Sequence, residues 1–213
     1  MKVNILLVTV VLFLAFSINS NAIDRNAQFI DSIGAYGMSY KDGKLHGYQL
    51  WGETALGRLQ KDWAVIVGIG TGTDSLPFSK DTDYINGLAG MKYYFSEYTS
   101  AAIIANFAGY DSSSDLDITS GSFLIKHRFI DATEGVSPFL TASATYRAID
   151  RGASGMNNDE LVGSAGLGCE FMLTKDLSIV LEASYLHGES LQSGGFDMKD
   201  AVLGAVYFTG YWD

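Results

Sequence analysis

The chain has 213 residues, a formal net charge of −10 and a single cysteine, Cys169. The acidic balance argues against nucleic-acid binding, and one cysteine allows no intramolecular disulfide. No run after Ala22 approaches the roughly 20 apolar residues of a transmembrane helix, while 24 glycines, two prolines and 13% aromatics suit an all-β chain.

The chain begins with Lys2 ahead of an apolar stretch from Ile5 to Phe16, and Ser20-Asn21-Ala22 is a small-x-small site. This is the pattern of a secretory signal peptide over residues 1–22, and it leaves 23–213 as one domain. No lipoprotein cysteine is present in that segment.

A first run, Phe29 to Tyr40, leads into Lys41-Asp42-Gly43-Lys44, a hairpin turn with Asp-Gly at its centre. The second run, Leu45 to Leu56, alternates Tyr48, Leu50, Gly52 and Thr54 with Gln49, Trp51, Glu53 and Ala55. The third, Trp63 to Thr71, sets Trp63, Val65, Val67 and Ile69 against Ala64, Ile66, Gly68 and Gly70. Then comes the clearest signal in the chain. Tyr84 to Phe95 and Ala101 to Tyr110 flank a short polar connection. Ile85, Ala89, Met91, Ile103, Ala105 and Phe107 share the apolar face, while Lys92 and Asn106 lie on the other. A side-chain period of two on both sides of a short turn predicts an antiparallel hairpin.

The sixth run, Ile118 to Ile130, opposes Phe123, Ile125 and Phe129 to Ser120, Ser122, Lys126 and Arg128. The seventh, Pro138 to Ile149, opposes Leu140, Ala142, Ala144 and Tyr146 to Thr141, Ser143, Thr145 and Arg147. The eighth, Glu160 to Leu173, opposes Leu161, Ala165, Leu167, Cys169 and Phe171 to Ser164, Gly166, Gly168 and Glu170. Cys169 thus reads as a small hydrophobe. The ninth, Leu177 to Leu186, opposes Ile179, Leu181, Ala183 and Tyr185 to Ser178, Val180, Glu182 and Ser184, and Asp200 to Trp212 is the tenth.

The connections alternate in kind. Those at the end that carries the chain termini read as short. Those at the opposite end, KDGK apart, read as long and mostly acidic. Aromatics add a second pattern. Trp63, Tyr94, Phe95, Phe129, Phe139, Phe171, Tyr211 and Trp212 mark strand ends on the first side, and Tyr40, Tyr48, Tyr84, Tyr110, Tyr146 and Tyr185 mark those on the second. Aromatic rings with one wet edge favour the lipid headgroup level, so two such girdles bound a membrane-spanning band.

In these features the chain resembles the small Gram-negative outer-membrane β-barrels of the OmpA transmembrane domain, OmpX and opacity-protein kind. The resemblance covers the signal segment, strands of about ten residues, the turns and loops and the aromatic last strand. It implies an all-β, closed, antiparallel up-and-down transmembrane β-barrel in the outer membrane, reached by secretion and by the barrel-assembly machinery. About ten strands are expected, with eight, the count of those families, as the alternative. The chain ends Tyr211-Trp212-Asp213, where the family's assembly signal ends on phenylalanine.

In such a barrel Glu53, Lys92, Lys126, Arg128, Arg147, Glu170 and Glu182 face the lumen. Unpaired charge there is costly, so these seven are expected to form a polar network. Trp63, Tyr94, Phe95, Phe129, Phe171, Tyr211 and Trp212 are expected in the girdle. The resulting reading is a monomeric barrel with a structural or surface-interacting role, porin-like in build, with a narrow pore as a possible property. Its contacts are outer-membrane lipid and lipopolysaccharide, with no nucleic acid, cofactor or metal. Two alternatives stand beside it: a secreted or periplasmic soluble barrel holding a small apolar ligand, and a barrel enzyme hydrolysing lipid or peptide. His187-Gly188-Glu189-Ser190 is the cluster that suggests the enzyme, with His46 near the same rim and His127 toward the other.

Overall fold

A computed structural model describes residues 29–40, 43–55, 63–75, 82–96, 98–111, 116–130, 135–150, 158–174, 176–191 and 200–212. The expected signal peptide, residues 1–22, lies outside them. Ten strands follow one another: β1 (Phe29–Tyr40), β2 (Gly43–Ala55), β3 (Trp63–Ser75), β4 (Thr82–Tyr94), β5 (Thr99–Tyr110), β6 (Asp117–Arg128), β7 (Val136–Asp150), β8 (Asn158–Thr174), β9 (Leu177–Ser190) and β10 (Ala201–Trp212). Each pairs antiparallel with the next, and β10 returns to β1, from Phe29↔Trp212 to Ser39↔Val202. The sheet closes on itself and leaves no unpaired edge. The strand count is ten, not eight.

Period-two alternation now has a direction. The alternating apolar residues point outward: Ile103 is 67% exposed, Leu167 65%, Ile85 64% and Ile69 58%. Their neighbours point into the lumen, where Ala64, Ile66, Ala102, Phe139, Val162 and Val180 are buried. An apolar-lined ligand barrel would show the reverse. This arrangement does not favour the soluble-barrel alternative.

The strands run further than the hydrophobic pattern. β3 continues to Ser75 and β4 starts at Thr82, so the twelve-residue polar loop expected there shrinks to residues 76–81. Connections span 56–62, 95–98, 129–135 and 175–176 at the end bearing β1's start and β10's finish. At the far end they span 41–42, 76–81, 111–116, 151–157 and 191–200. The length contrast between the two ends is therefore much weaker than the sequence suggests. Ladder hydrogen bonds join main chain to main chain, and polar side chains do not interrupt them. Entry into β7 needs a left-handed residue, supplied by Gly135 at φ 94°, whose carbonyl accepts Met172 N–H at 2.8 Å.

The closing seam is held on both faces. Inside, Ser32 and Thr209 hydroxyls meet at 2.9 Å. Outside, Trp212 Nε1 donates to Asp31 Oδ1 at 2.7 Å. Gly210 makes that contact possible, because a Cβ there would lie 2.5 Å from the same oxygen.

Candidate functional site

The chemistry-bearing side chains converge in the lumen. Near the terminal end two ion pairs each reach across an intervening strand. Lys92 Nζ meets Glu53 Oε2 at 2.9 Å across β3, past Ala64 and Ile66. Arg128 Nη2 meets Glu170 Oε2 at 2.9 Å across β7, past Ser137 and Phe139. Both carboxylates are almost fully enclosed, Glu53 at 3% and Glu170 at 1% exposure. Each also accepts hydroxyls. Tyr94 donates to Glu53, while Ser178 (2.8 Å) and Tyr211 donate to Glu170. A buried pair is favourable only when its remaining lone pairs are satisfied, and these donors do that.

Lys126 and Glu182 are arranged differently. Lys126 Nζ lies 3.8 Å from the centroid of the Phe139 ring. Glu182 Oε1 accepts Thr141 Oγ1 at 3.0 Å and Ser184 Oγ at 3.1 Å, and no ion pair to it is present among the described residues. Glycine makes both contacts possible. A Cβ at Gly168 would sit 2.2 Å from the Phe139 ring, and one at Gly166 2.1 Å from Ser184 Oγ. Replacing Gly168 by alanine should therefore overpack the wall and cost about 1–3 kcal/mol in urea unfolding. The same change at Gly121, where a Cβ meets nothing within 4 Å, serves as the near-neutral control.

Hydroxyl and amide pairs occupy the middle: Ser122 with Thr145 (2.8 Å), Ser143 with Ser164 (2.6 Å) and Asn86 Nδ2 to Asn106 Oδ1 (3.2 Å). At the far end Arg147 Nη1 meets Glu160 Oε2 at 3.2 Å. Beside it stands a tyrosine cluster. The Tyr36 and Tyr84 hydroxyls touch, the Tyr84 and Tyr110 rings pack at 5.3 Å, and Tyr110 reaches Asp74 at 3.4 Å.

The expected lumen residues thus all point inward, and the structure adds Glu160, Asp74 and the tyrosines. Glu160 was legible, since it shares the parity of Glu170 on β8. The girdle needs correction. Tyr94 and Tyr211 point into the lumen, because each hydroxyl is held by a buried carboxylate. Tyr93 takes the outer place instead, between Trp63 (4.8 Å) and Phe95 (4.9 Å). Phe129 and Phe171 face outward as expected, and Trp212 lies outside over the seam. Phe139, Tyr84 and Tyr110 also turn inward, whereas Tyr48, Tyr146 and Tyr185 face out. The side chain of Tyr40 lies outside the described residues.

The rim histidine does not meet its expected partner. His187 is on the outer face, with Nδ1 3.4 Å from Asp200 and Nε2 3.7 Å from Glu189. Ser190 faces the opposite side and donates to Asn158 Oδ1 at 2.6 Å. The two form no nucleophile–base pair. His46 is likewise exposed on the outer face, and His127 pairs with Thr99 Oγ1 at 2.8 Å. No grouping of His, Cys, Asp and Glu suited to a metal ion is present among the described residues.

No family model matches the sequence, and no curated protein matches it. Among solved structures, the β domain of the Bordetella autotransporter BrkA superposes with a TM-score of 0.53 at 8% identity, over 87% of this chain and 99% of that one. The chain has the fold of the outer-membrane β-barrels. Neisserial surface protein A superposes at 0.43 with 14% identity, over 86% of this chain and 96% of that one. The N-terminal barrel of Pseudomonas aeruginosa OprF does so at 0.40 with 12% identity, over 85% and 96%. Identities this low speak to fold alone.

Proposed function

We propose that the protein is an integral β-barrel of a bacterial outer membrane with a structural or surface-interacting role. One observation carries this reading. Between the two rims every outward side chain is uncharged, and most are apolar, while the formal charges of the strand middles are inside. Lipid is the solvent that such a surface fits. Outward charges sit at the rims: Asp31 near the terminal end, and Lys44, Asp83, Asp117, Asp150, Asp159 and Glu189 at the far end. Trp63, Tyr93 and Phe95 lie outside at the terminal end, and Tyr48, Tyr146 and Tyr185 toward the other.

In this reading residues 1–22 direct secretion and both chain ends face the periplasm. The barrel-assembly machinery recognises the aromatic last strand, and the barrel works as a monomer. The acidic far end meets lipopolysaccharide through divalent ions. The lumen network fills and fixes the barrel rather than conducting.

Cell fractionation with gel mobility before and after boiling tests the location. The protein should stay with the outer membrane and shift on heating. A soluble periplasmic protein with no shift would sink the proposal. In planar bilayers the current should stay at baseline, and stepwise conductance would show an open lumen instead.

A further inference from the structure

The outward face of the far rim divides into two arcs. From β4 to the start of β10 it carries the carboxylates Asp83, Asp117, Asp150, Asp159, Glu189 and Asp200. Over β1 and β2 it carries Ser39, Lys44 and His46 instead, all exposed. Lys44 is the one outward cation among the described residues, since Lys92, Lys126, Arg128 and Arg147 face the lumen. The flanking carboxylates are engaged elsewhere. Asp83 accepts Thr73 Oγ1 at 2.8 Å, and Asp200 accepts the Tyr185 hydroxyl.

Four outward positions form a block in this arc. Ser39 stands directly opposite Lys44, and Gly37 directly opposite His46. Opposed Cβ atoms lie about 5 Å apart, and same-face neighbours along one strand about 7 Å. Three corners of the block therefore bear donors around a fourth, Gly37, that bears no side chain. A Cβ at Gly37 would meet only Leu45 O, at 4.0 Å. The bare wall continues onto Gly204, opposite Gly37 on β10, where a Cβ meets nothing within 4 Å. Tyr48, the next outward residue on β2, is 55% exposed. An interfacial tyrosine marks the border of the hydrocarbon, so His46 and Lys44, one and two steps further out, lie at headgroup depth.

We propose that Lys44, His46 and Ser39 hold the phosphate of a lipid headgroup in the leaflet around the far rim. The phosphate fills the corner that Gly37 leaves vacant. It accepts from Lys44 Nζ, from an imidazole N–H of His46 and from the Ser39 hydroxyl, and the first carbons of the lipid rest on the bare wall beside it. The class follows from the donors, because an ammonium point charge flanked by two further donors suits a phosphate. Depth sets the source, because the block stands just outside Tyr48 and opens onto apolar wall. The acidic arc meets the same layer through divalent ions, whereas this arc meets it directly. The site presupposes the outer-membrane barrel proposed above.

Phosphatidic acid is the probe, with diacylglycerol of the same chains as the phosphate-free control. The full chain is refolded in alkyl-maltoside micelles and verified by its heat-dependent gel shift. The lipid it retains is then counted by native mass spectrometry. Wild type should retain phosphatidic acid in preference to diacylglycerol. Lys44→Gln combined with His46→Gln should weaken that retention about fivefold or more, the contribution of one basic side chain at a lipid surface. Lys44→Arg should keep it, and Gly37→Val, which fills the vacant corner, should weaken it. These positions are exposed, so the variants should fold. No preference in wild type, or an equal preference in the folded double variant, overturns the proposal. So does displacement of the lipid by inorganic phosphate at equal concentration, which would make this a site for the free anion. A wild-type dimer that Gly37→Val disperses would put a second copy on the bare wall and overturn it too. A protein that stays in the outer membrane yet shows no preference sinks this site alone, whereas a soluble periplasmic protein sinks the membrane reading itself.

Discussion

Replacing Ala105 with arginine should stop the barrel from assembling in a membrane. Ala105 is exposed on the outer face of β5, paired with Ala89 on β4 and Gly121 on β6. The neighbouring outward residues on its strand are Ile103 and Phe107. The position is mid-strand, so a guanidinium there has the longest reach to either headgroup layer. At the bilayer midplane such a charge costs roughly 2–4 kcal/mol. Folding yield into lipid vesicles, scored by the heat-dependent gel shift, should fall sharply. Asn106, one residue along, faces the lumen, and an arginine there should be tolerated far better with respect to lipid. Equal insertion of both variants would mean that the outer face does not meet hydrocarbon.

Removing Arg128 should be the most damaging single change inside. Glu170 is 1% exposed, and Arg128 is the cation that pairs with it. Among the described residues, Arg128→Met leaves an enclosed carboxylate with Ser178 and Tyr211 as its side-chain donors. Breaking one side of a buried pair typically costs about 3–5 kcal/mol. The urea midpoint of the refolded barrel should drop accordingly. Adding Glu170→Gln to the same chain should recover most of the loss, since the stranded charge disappears. No recovery in the double variant would show that Arg128 acts through packing rather than through charge.

Much of this barrel could be read from a period of two. The Tyr84–Tyr110 hairpin shows why. With Ile85, Ala89, Met91, Ile103, Ala105 and Phe107 on one face and Lys92 and Asn106 on the other, a slip of one residue would exchange apolar for polar along its length. The structure keeps that register, with Ala89 opposite Ala105 and Met91 opposite Ile103. Strand ends were less legible. Thr73 and Asp74 look like loop, yet they pair with Asp83 and Thr82, because main-chain pairing takes no account of side-chain polarity.

The girdle was misread where the period was set aside. An aromatic at a strand end suggests a lipid interface, but parity decides which way it points. Tyr94 and Tyr211 share parity with Lys92 and Thr209 and turn inward, while Tyr93 shares parity with Met91 and turns out. The hydroxyl gives each inward tyrosine a reason to be there.

The sequence by itself determined the class of fold, the approximate placement of the strands and which residues share a face, while ten strands against eight stayed open until the ring closed. The first three follow from local spacing, because alternation in an extended chain is geometric. It left open which face is outside, since an apolar face fits a lipid exterior and a ligand-filled interior equally well. Only closure of β10 onto β1 decided that, by placing Lys92, Arg128 and Glu170 inside one ring of strands. The partners were decided there too. Glu53 and Lys92 are 39 residues apart, Arg128 and Glu170 42. Nothing in local spacing says that Glu170 rather than Glu182 meets Arg128. The pairing made that choice: β7 alone separates Arg128, opposite Phe139, from Glu170, opposite Ser137, whereas Glu182 lies a further strand away, opposite Gly168.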